Sequence, residues 1–202
     1  MHKIIAVFDF DGTITKKDTL WLYLVKTFGM KCFVCLMVKV SLYLIGSVLG
    51  VCSRSMAKEK LIQVFLSGMK LADYQSSCIT FANNNIDIVR KDALEEIRRH
   101  IKNQNDIYIV TASPTVLVRE FARRIGVKES NVIGTELEVT SSMCLTGKFA
   151  TPNCVGKEKV RRLLEKKPNI KDQAVIYGYG DSRGDDELLL FCDVAFYRKF
   201  NK

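Results

Sequence analysis

Apolar positions along the chain follow two periods. Runs rich in Ile, Val, Phe and Tyr at 3–9, 106–111, 131–135 and 174–179, with a shorter one near 193–197, read as strands. Between them, apolar residues recur at three- and four-residue spacing over 87–103, 114–125, 156–167 and 184–191, which reads as helices. The alternation predicts an α/β fold with a mainly parallel sheet. The stretch Glu136–Phe149, turning at Thr146-Gly147-Lys148, reads as a β-hairpin excursion.

Residues 18–83 break the alternation. They hold no convincing strand and read as helices at about 18–28, 31–52, 55–68 and 71–83. Inserted straight after the first strand, they predict an all-helical cap over a core formed by 1–17 and 84–202. A cap in that place can exclude water and select the substrate while the core does the chemistry.

Both ends of the core carry acids at strand tips. The first strand runs into Asp9-Phe10-Asp11-Gly12-Thr13, and the strand at 174–179 into Gly180-Asp181-Ser182-Arg183-Gly184-Asp185. Parallel α/β sheets bind ligands beyond the carboxyl ends of their strands. Mg2+, a hard cation, takes oxygen ligands from a few carboxylates plus substrate phosphate. Magnesium-assisted phosphate chemistry is therefore the leading expectation; the plain alternative is that the acids serve as caps and turn residues. Gly178-x-Gly180 is not expected to make a dinucleotide site, because the about twenty residues that follow hold no βαβ unit to complete it. With histidine only at 2 and 100, a Ser-His-Asp hydrolase is poorly supported.

Charge and cysteine content narrow the partners. The chain has 202 residues and a net charge of +9, with clusters at Arg98-Arg99, Arg123-Arg124 and along Lys157–Lys167. These are either solvated helix faces or an attraction to something anionic. No aromatic-interleaved basic motif or zinc-finger spacing points to nucleic acid, so a phosphorylated substrate or acidic lipid is expected instead. Seven scattered cysteines suit a reducing compartment. Cys32 and Cys35, with CxxC spacing inside an apolar run, are expected to be buried thiols. Met1-His2-Lys3 leads directly into the first strand without a cleavage pattern, so a cytoplasmic location is expected.

With the DxDGT strand end and GDSxxxD in this order, the chain resembles the haloacid dehalogenase superfamily of phosphatases. The helical insertion after the first motif is similar to the phosphoserine-phosphatase branch, subfamily IB. The resemblance covers the whole chain and implies a Rossmann-like core. It also implies that Asp9 attacks phosphorus to form an aspartyl-phosphate, while Asp11 protonates the leaving alcohol and then activates water. Mg2+ would be held by Asp9, the Asp11 carbonyl and Asp181, with Asp185 orienting the metal's waters. Thr111, ending Ile107-Tyr108-Ile109-Val110, fits the family's second motif; its hydroxyl and the following N–H groups, beginning at Ala112, would hold phosphate oxygens. Ser113-Pro114 also reads as a helix N-cap with proline at the first helical position. For the phosphate-neutralising lysine, Lys157 and Lys159 compete. The residue four positions on from Lys159 is Leu163, against Arg161 from Lys157, which favours Lys159.

The cap raises the question of substrate. Cys32 to Cys52 is 21 residues with a single charge, Lys39, and eleven Phe, Val, Leu or Ile residues. One complete crossing would separate Asp9 from Asp181, and two need about 40 residues. Thr19 to Cys52 supplies 34. The expectation is a shallow hairpin or in-plane anchor with Lys26, Lys31, Arg54, Lys58 and Lys60 at anionic headgroups. An internal helix of a compact cap, or a dimer interface, is the alternative. Together with Cys154-Val155-Gly156-Lys157-Glu158-Lys159-Val160 and Leu188-Leu189-Leu190-Phe191-Cys192, this cap is similar to the bacterial phosphatidylglycerophosphatase C type. That likeness implies a lipid phosphomonoester, phosphatidylglycerophosphate, cleaved by a peripheral or monotopic protein at the inner face of the cytoplasmic membrane. Phosphoserine phosphatase is the runner-up. Asp18 stands where that family places a substrate-contacting glutamate, though it also suits a cap for a helix starting at Thr19. Gly12 departs from the serine usual in that family's first motif. The reading of another class is a noncatalytic phosphate-binding or membrane-interaction protein.

Overall fold

The computed structural model describes residues 3–200. Five parallel strands form the sheet: β1 (Ile4–Phe8), β2 (Asp106–Pro114), β3 (Val132–Thr135), β6 (Val175–Gly180) and β7 (Val194–Tyr197), in the order β3-β2-β1-β6-β7. A two-stranded antiparallel ribbon, β4 (Leu137–Val139) and β5 (Leu145–Phe149), forms the expected hairpin after β3. The α/β class and Rossmann-like architecture are those read from the sequence.

Strand periodicity explains why the sheet is buried on both faces. Ile5, Val7, Tyr108, Val110 and Ile176 point into one apolar cluster, and Ala6, Phe8, Ile107, Ile109 and Tyr179 into another. The first cluster lies with α7 (Lys157–Lys166) and α9 (Asp186–Phe191), the second with α5 (Lys91–Lys102) and α6 (Thr115–Arg124). The short α8 (Ile170–Gln173), entered through Asn169 at φ 57°, is too brief for a periodic signal and was not expected.

Four helices follow β1: α1 (Thr19–Phe28), α2 (Met30–Val48), α3 (Arg54–Leu66) and α4 (Leu71–Asn84). Asp18 caps α1, accepting from Trp21 N at 3.1 Å, and Ser53 caps α3, accepting from Met56 N at 3.1 Å. Gly29, at φ 79°, separates α1 from α2. The second cluster runs on without a break into Tyr23, Leu61, Phe65 and Phe81, so these helices share a core with the sheet.

Helix α2 is different. Val40 alone is buried, while Phe33, Leu36, Met37 and Leu44 pack partly on the cluster. The opposite face presents Val34, Val38, Leu42, Ile45 and Val48 outward. An internal position for this helix is therefore ruled out. So is a hairpin anchor built from both α1 and α2, because α1 buries Leu20, Tyr23 and Leu24 in the core. Cys32 and Cys35 are exposed rather than buried, since they fall on the flank of α2 that nothing covers.

Candidate active site

The three central strands deliver the site. Register places Phe8 beside Tyr179 and Ile109, so the residues that follow on β1, β2 and β6 emerge together at one edge. Asp9 N donates to Tyr179 O at 2.8 Å, extending the ladder to the acid itself. The chain then turns at Gly12, φ 84°, where a Cβ would lie 2.4 Å from Asp181 Oδ2. Glycine suits this turn, because a side chain is strained at that φ and its Cβ would press on the Asp181 carboxylate. Gly180 has a like role: its Cβ would lie 2.6 Å from the Asp185 Cβ, so glycine lets the acid-bearing turn fold onto β6.

Lys159 sits at the centre, 2% exposed, with Nζ donating to Asp9 Oδ1 at 2.6 Å and to Asp185 Oδ1. Lys157, the competing lysine, is exposed. On α7 the residue pointing inward from Lys159 is the fully buried Leu163, which seats the helix so that this lysine faces the strand tips. Asp185 spends its other oxygen on Ser182 N and Oγ, both at 3.0 Å, and on Asp181 N at 3.2 Å. It thereby braces both the lysine and the turn that carries Asp181.

Thr111 and Ala112 lie in a bulge. Pairing of β2 with β3 passes from Val110↔Ile133 to Pro114↔Thr135, so extra residues of β2 stand opposite Gly134 and leave the ladder. Thr111 Oγ1 accepts from Ser113 N at 3.0 Å. Ser113 is not a helix cap: α6 starts at Thr115 with Pro114 at the cap position, and the Ser113 hydroxyl donates to Asp11 Oδ2 instead. The other oxygen of Asp11 accepts from Thr19 N at 2.7 Å and from Thr19 Oγ1 at 2.6 Å. The Asp11 carboxylate is thus held between the start of α1 and the β2 bulge, and it lines one cleft with Asp9, Asp181 and Asp185.

Lys58, like the Thr19 and Ser113 contacts to Asp11, escaped the sequence reading. Lys58, expected at lipid headgroups, instead points inward from α3 and donates to Ala112 O at 3.0 Å. A lysine on an amphipathic helix ordinarily reads as solvated, and nothing in its local sequence signals an anionic site ahead of it. Asp18 lines the same cleft of about 220 Å3, together with Asp9, Asp11, Thr111, Ala112, Lys159, Asp181 and Asp185. A larger cleft of about 610 Å3, between α1 and α4, carries Lys26 but no carboxylate, and lies away from the strand tips.

Five carboxylates against two lysines leave this cleft short of positive charge. Burial pushes the Asp9 carboxyl up to about 7, with Lys159 pulling the other way. Burial also raises Asp181, with the Asp185 charge adding to it. Burial opposes ionisation of Asp185 as well, but Lys159 and Ser182 prevail and hold it below the usual range. Burial lowers Lys58, against the pull of Asp11 and Asp18. Oxygens of Asp9, Asp181 and Asp185 lie within 4.8 Å of one another. An all-oxygen, charge-deficient set of this kind fits a hard divalent cation.

These features coincide with what the chain resembles. A family model described as haloacid dehalogenase-like hydrolase matches residues 6–189. Over 199 residues the chain is 32% identical to protein CicA of Caulobacter vibrioides, covering 98% of this chain and 86% of that one. Among solved structures, a Bordetella pertussis Tohama I protein of unknown function superposes with a TM-score of 0.79 at 21% identity, covering 96% of this chain and 89% of the other. A phosphoserine phosphatase captured as a phospho-aspartyl intermediate analogue superposes at 0.62 with 15% identity, covering 96% and 86%. The chain belongs to the haloacid dehalogenase-like hydrolase family. It is a hydrolase with the fold of a phosphatase and an acid–lysine site at the strand tips.

Proposed function

We propose that this protein is a magnesium-dependent phosphomonoester hydrolase that works through an aspartyl-phosphate and acts on a membrane lipid phosphate such as phosphatidylglycerophosphate. Asp9 attacks phosphorus, and the P–O bond to the alcohol breaks as Asp11 gives that oxygen its proton. Water then attacks the acyl phosphate, losing its proton to Asp11, and inorganic phosphate leaves with Asp9 restored. Lys159 offsets the repulsion between the Asp9 carboxylate and the entering phosphate. The Thr111 hydroxyl and the Ala112 N–H donate to phosphate oxygens, since the Ser113 N–H is held by Thr111 Oγ1 and Pro114 has none. Asp9, Asp181 and the Asp11 carbonyl would hold Mg2+, with Asp185 outside them, and the ion would supply Lewis-acid stabilisation of charge on the transferring group.

The observation that carries the lipid assignment is α2. Val40 is its one buried residue, and it packs on α3, the helix that sends Lys58 into the cleft. Apolar side chains left in water over 19 residues, with Lys26, Lys31 and Lys39 nearby, suit an in-plane helix on an anionic bilayer. The partner this implies is the inner face of the cytoplasmic membrane.

A second reading has its own support. Asp18 and Lys58 bring opposite charges to one cleft, the pattern a zwitterionic phosphoamino acid requires. Phosphate release with Mg2+ from phosphatidylglycerophosphate in mixed micelles, beside phosphoserine, separates the two. The lipid assignment predicts a kcat/KM preference of at least about 100-fold for the lipid, roughly 2.7 kcal/mol of transition-state discrimination. Preference for phosphoserine would make Asp18 and Lys58 its amine and carboxylate contacts and would overturn the lipid assignment.

A further inference from the structure

The hydrogen bonds around Asp11 are asymmetric in a way that bears on how it handles its proton. Oδ1 faces two donors from the first residue of α1, Thr19 N at 2.7 Å and Thr19 Oγ1 at 2.6 Å. Oδ2 faces one donor, the hydroxyl of Ser113 in the phosphate-side bulge. Thr19 and Ser113 are both buried. A backbone N–H can only donate, so Oδ1 is committed to accepting in either protonation state. A serine hydroxyl can rotate and either donate or accept.

We infer that Thr19 and Ser113 are positioning residues for the chemical step, Thr19 fixing Oδ1 as a permanent acceptor so that Asp11 carries its transferable proton on Oδ2, beside Ser113. This rests on the reading of Asp11 as the acid and base of a phosphatase. While Asp11 is a carboxylate, Ser113 Oγ–H donates to Oδ2. Once water has yielded its proton to Oδ2, the Ser113 hydroxyl turns its own hydrogen away, leaving the new proton free for the next leaving group. In the first step that proton passes from Oδ2 to the alcohol oxygen as its bond to phosphorus breaks. The two residues come from different parts of the fold, one from the start of α1 and one from the core strand β2. Correct aim of the acid therefore requires the start of α1 to be seated on the core.

Leaving-group chemistry tests this independently of folding. An alkyl alcohol needs a proton as it departs, whereas 4-nitrophenolate leaves without one. The value of kcat/KM reports the first transfer, so an alkyl phosphate and 4-nitrophenyl phosphate, both with Mg2+, form the comparison. Ser113→Ala and Thr19→Val are each expected to lower kcat/KM on the alkyl ester by about 10- to 100-fold, part of the ~10²–10⁴ that general acid catalysis supplies. The loss on the aryl ester is expected to be at least about five-fold smaller, with Ser113→Thr and Thr19→Ser restoring the alkyl rate. Equal losses on both esters would reduce the pair to structural residues, and no loss on either would remove them from the reaction; each result overturns the inference. Asp11→Asn in the same assay separates this from the underlying reading. If Asp11→Asn shows the selective alkyl loss but the hydroxyl variants do not, only the positioning roles fail. If Asp11→Asn spares the alkyl ester, the assignment of Asp11 as the acid itself fails.

Discussion

Helices α2 and α3 are neighbours in the cap, and both contribute apolar side chains, yet they do opposite things with them. Helix α3 places Leu61, Ile62, Phe65 and Leu66 in the cluster that also holds Phe10 of the catalytic turn. Helix α2 leaves Leu42 79% and Val48 86% exposed. The inner helix is part of what keeps the strand tips in place. The outer face of α2 adds nothing to that core, so its apolar character requires an external explanation. The proposed bilayer contact would supply one, and the same division says where substitutions should affect catalysis, stability or location.

The largest effects belong to the strand tips. Asp9→Asn is expected to lower turnover by at least about 1,000-fold, as loss of a covalent nucleophile should. Melting temperature should change little, because Asn keeps the size of the side chain and an acceptor oxygen for Lys159 Nζ, and Asp185 remains as that lysine's ionic partner. Differential scanning calorimetry beside a phosphate-release assay checks both halves. Lys159→Ala removes the partner of two buried acids, and losing one member of a buried ion pair typically costs about 3–5 kcal/mol. Lys157→Ala, by contrast, should leave activity and stability close to wild type. Equal effects at the two lysines would remove Lys159 from its central place.

Within the cap, Phe65→Ala is expected to destabilise by about 3–5 kcal/mol in urea unfolding, the usual cost of emptying a buried aromatic site. Replacing Leu42 and Ile45 with Ser should shift stability by no more than about 0.5 kcal/mol. It should nevertheless abolish flotation with anionic liposomes. Loss of folding in the second variant would show that the outer face packs on something, and the contrast between α2 and α3 would collapse.

A smaller effect concerns acid stability. Under β6, Tyr179 Oη donates to Glu96 at 2.6 Å and pairs with His100 Nε2 at 3.0 Å. Burial lowers the His100 pKa below its ordinary 6.5, so the folded protein prefers neutral imidazole. That contribution is complete above about 6.5 and is lost as pH falls below it, because the unfolded chain then binds the extra proton. Burial opposes ionisation of Glu96, but bonds from Arg99, Tyr179 and Lys199 outweigh it and bring its pKa to about 2. Its contribution is present above 4.5 and disappears as pH drops towards 2. A His100→Gln variant should therefore show a shallower decline in melting temperature between pH 6.5 and 4.5 than the parent, and a parallel decline in both would exclude His100 as the source.

The convergence of the candidate site residues was largely legible because its information is local and periodic. Asp9, Asp11 and Asp181 follow strand runs directly, Thr111 follows another, and the position of Leu163 distinguishes Lys159 from Lys157. Contacts made at long range were not legible. Ser113 lies 102 residues from Asp11, and its place before a proline resembles a helix cap. Lys58 reaches its carbonyl across 54 residues from a helix whose charges look solvated. In α2 the sequence showed apolar residues nearly all round, but packing alone decides which arc the neighbouring helices cover. The helix also stops at Val48, short of the expected Cys52, because Gly50 at φ 75° turns the chain into α3.

The central claim is that Asp9 takes the phosphoryl group. Rapid acid quench of the protein during turnover of 4-nitrophenyl phosphate with Mg2+, followed by digestion and mass spectrometry, tests it most directly. The account predicts a mass increase of one phosphoryl group on Asp9, sensitive to hydroxylamine and absent from Asp9→Asn. Turnover that proceeds with no such adduct, and survives in Asp9→Asn, would contradict it.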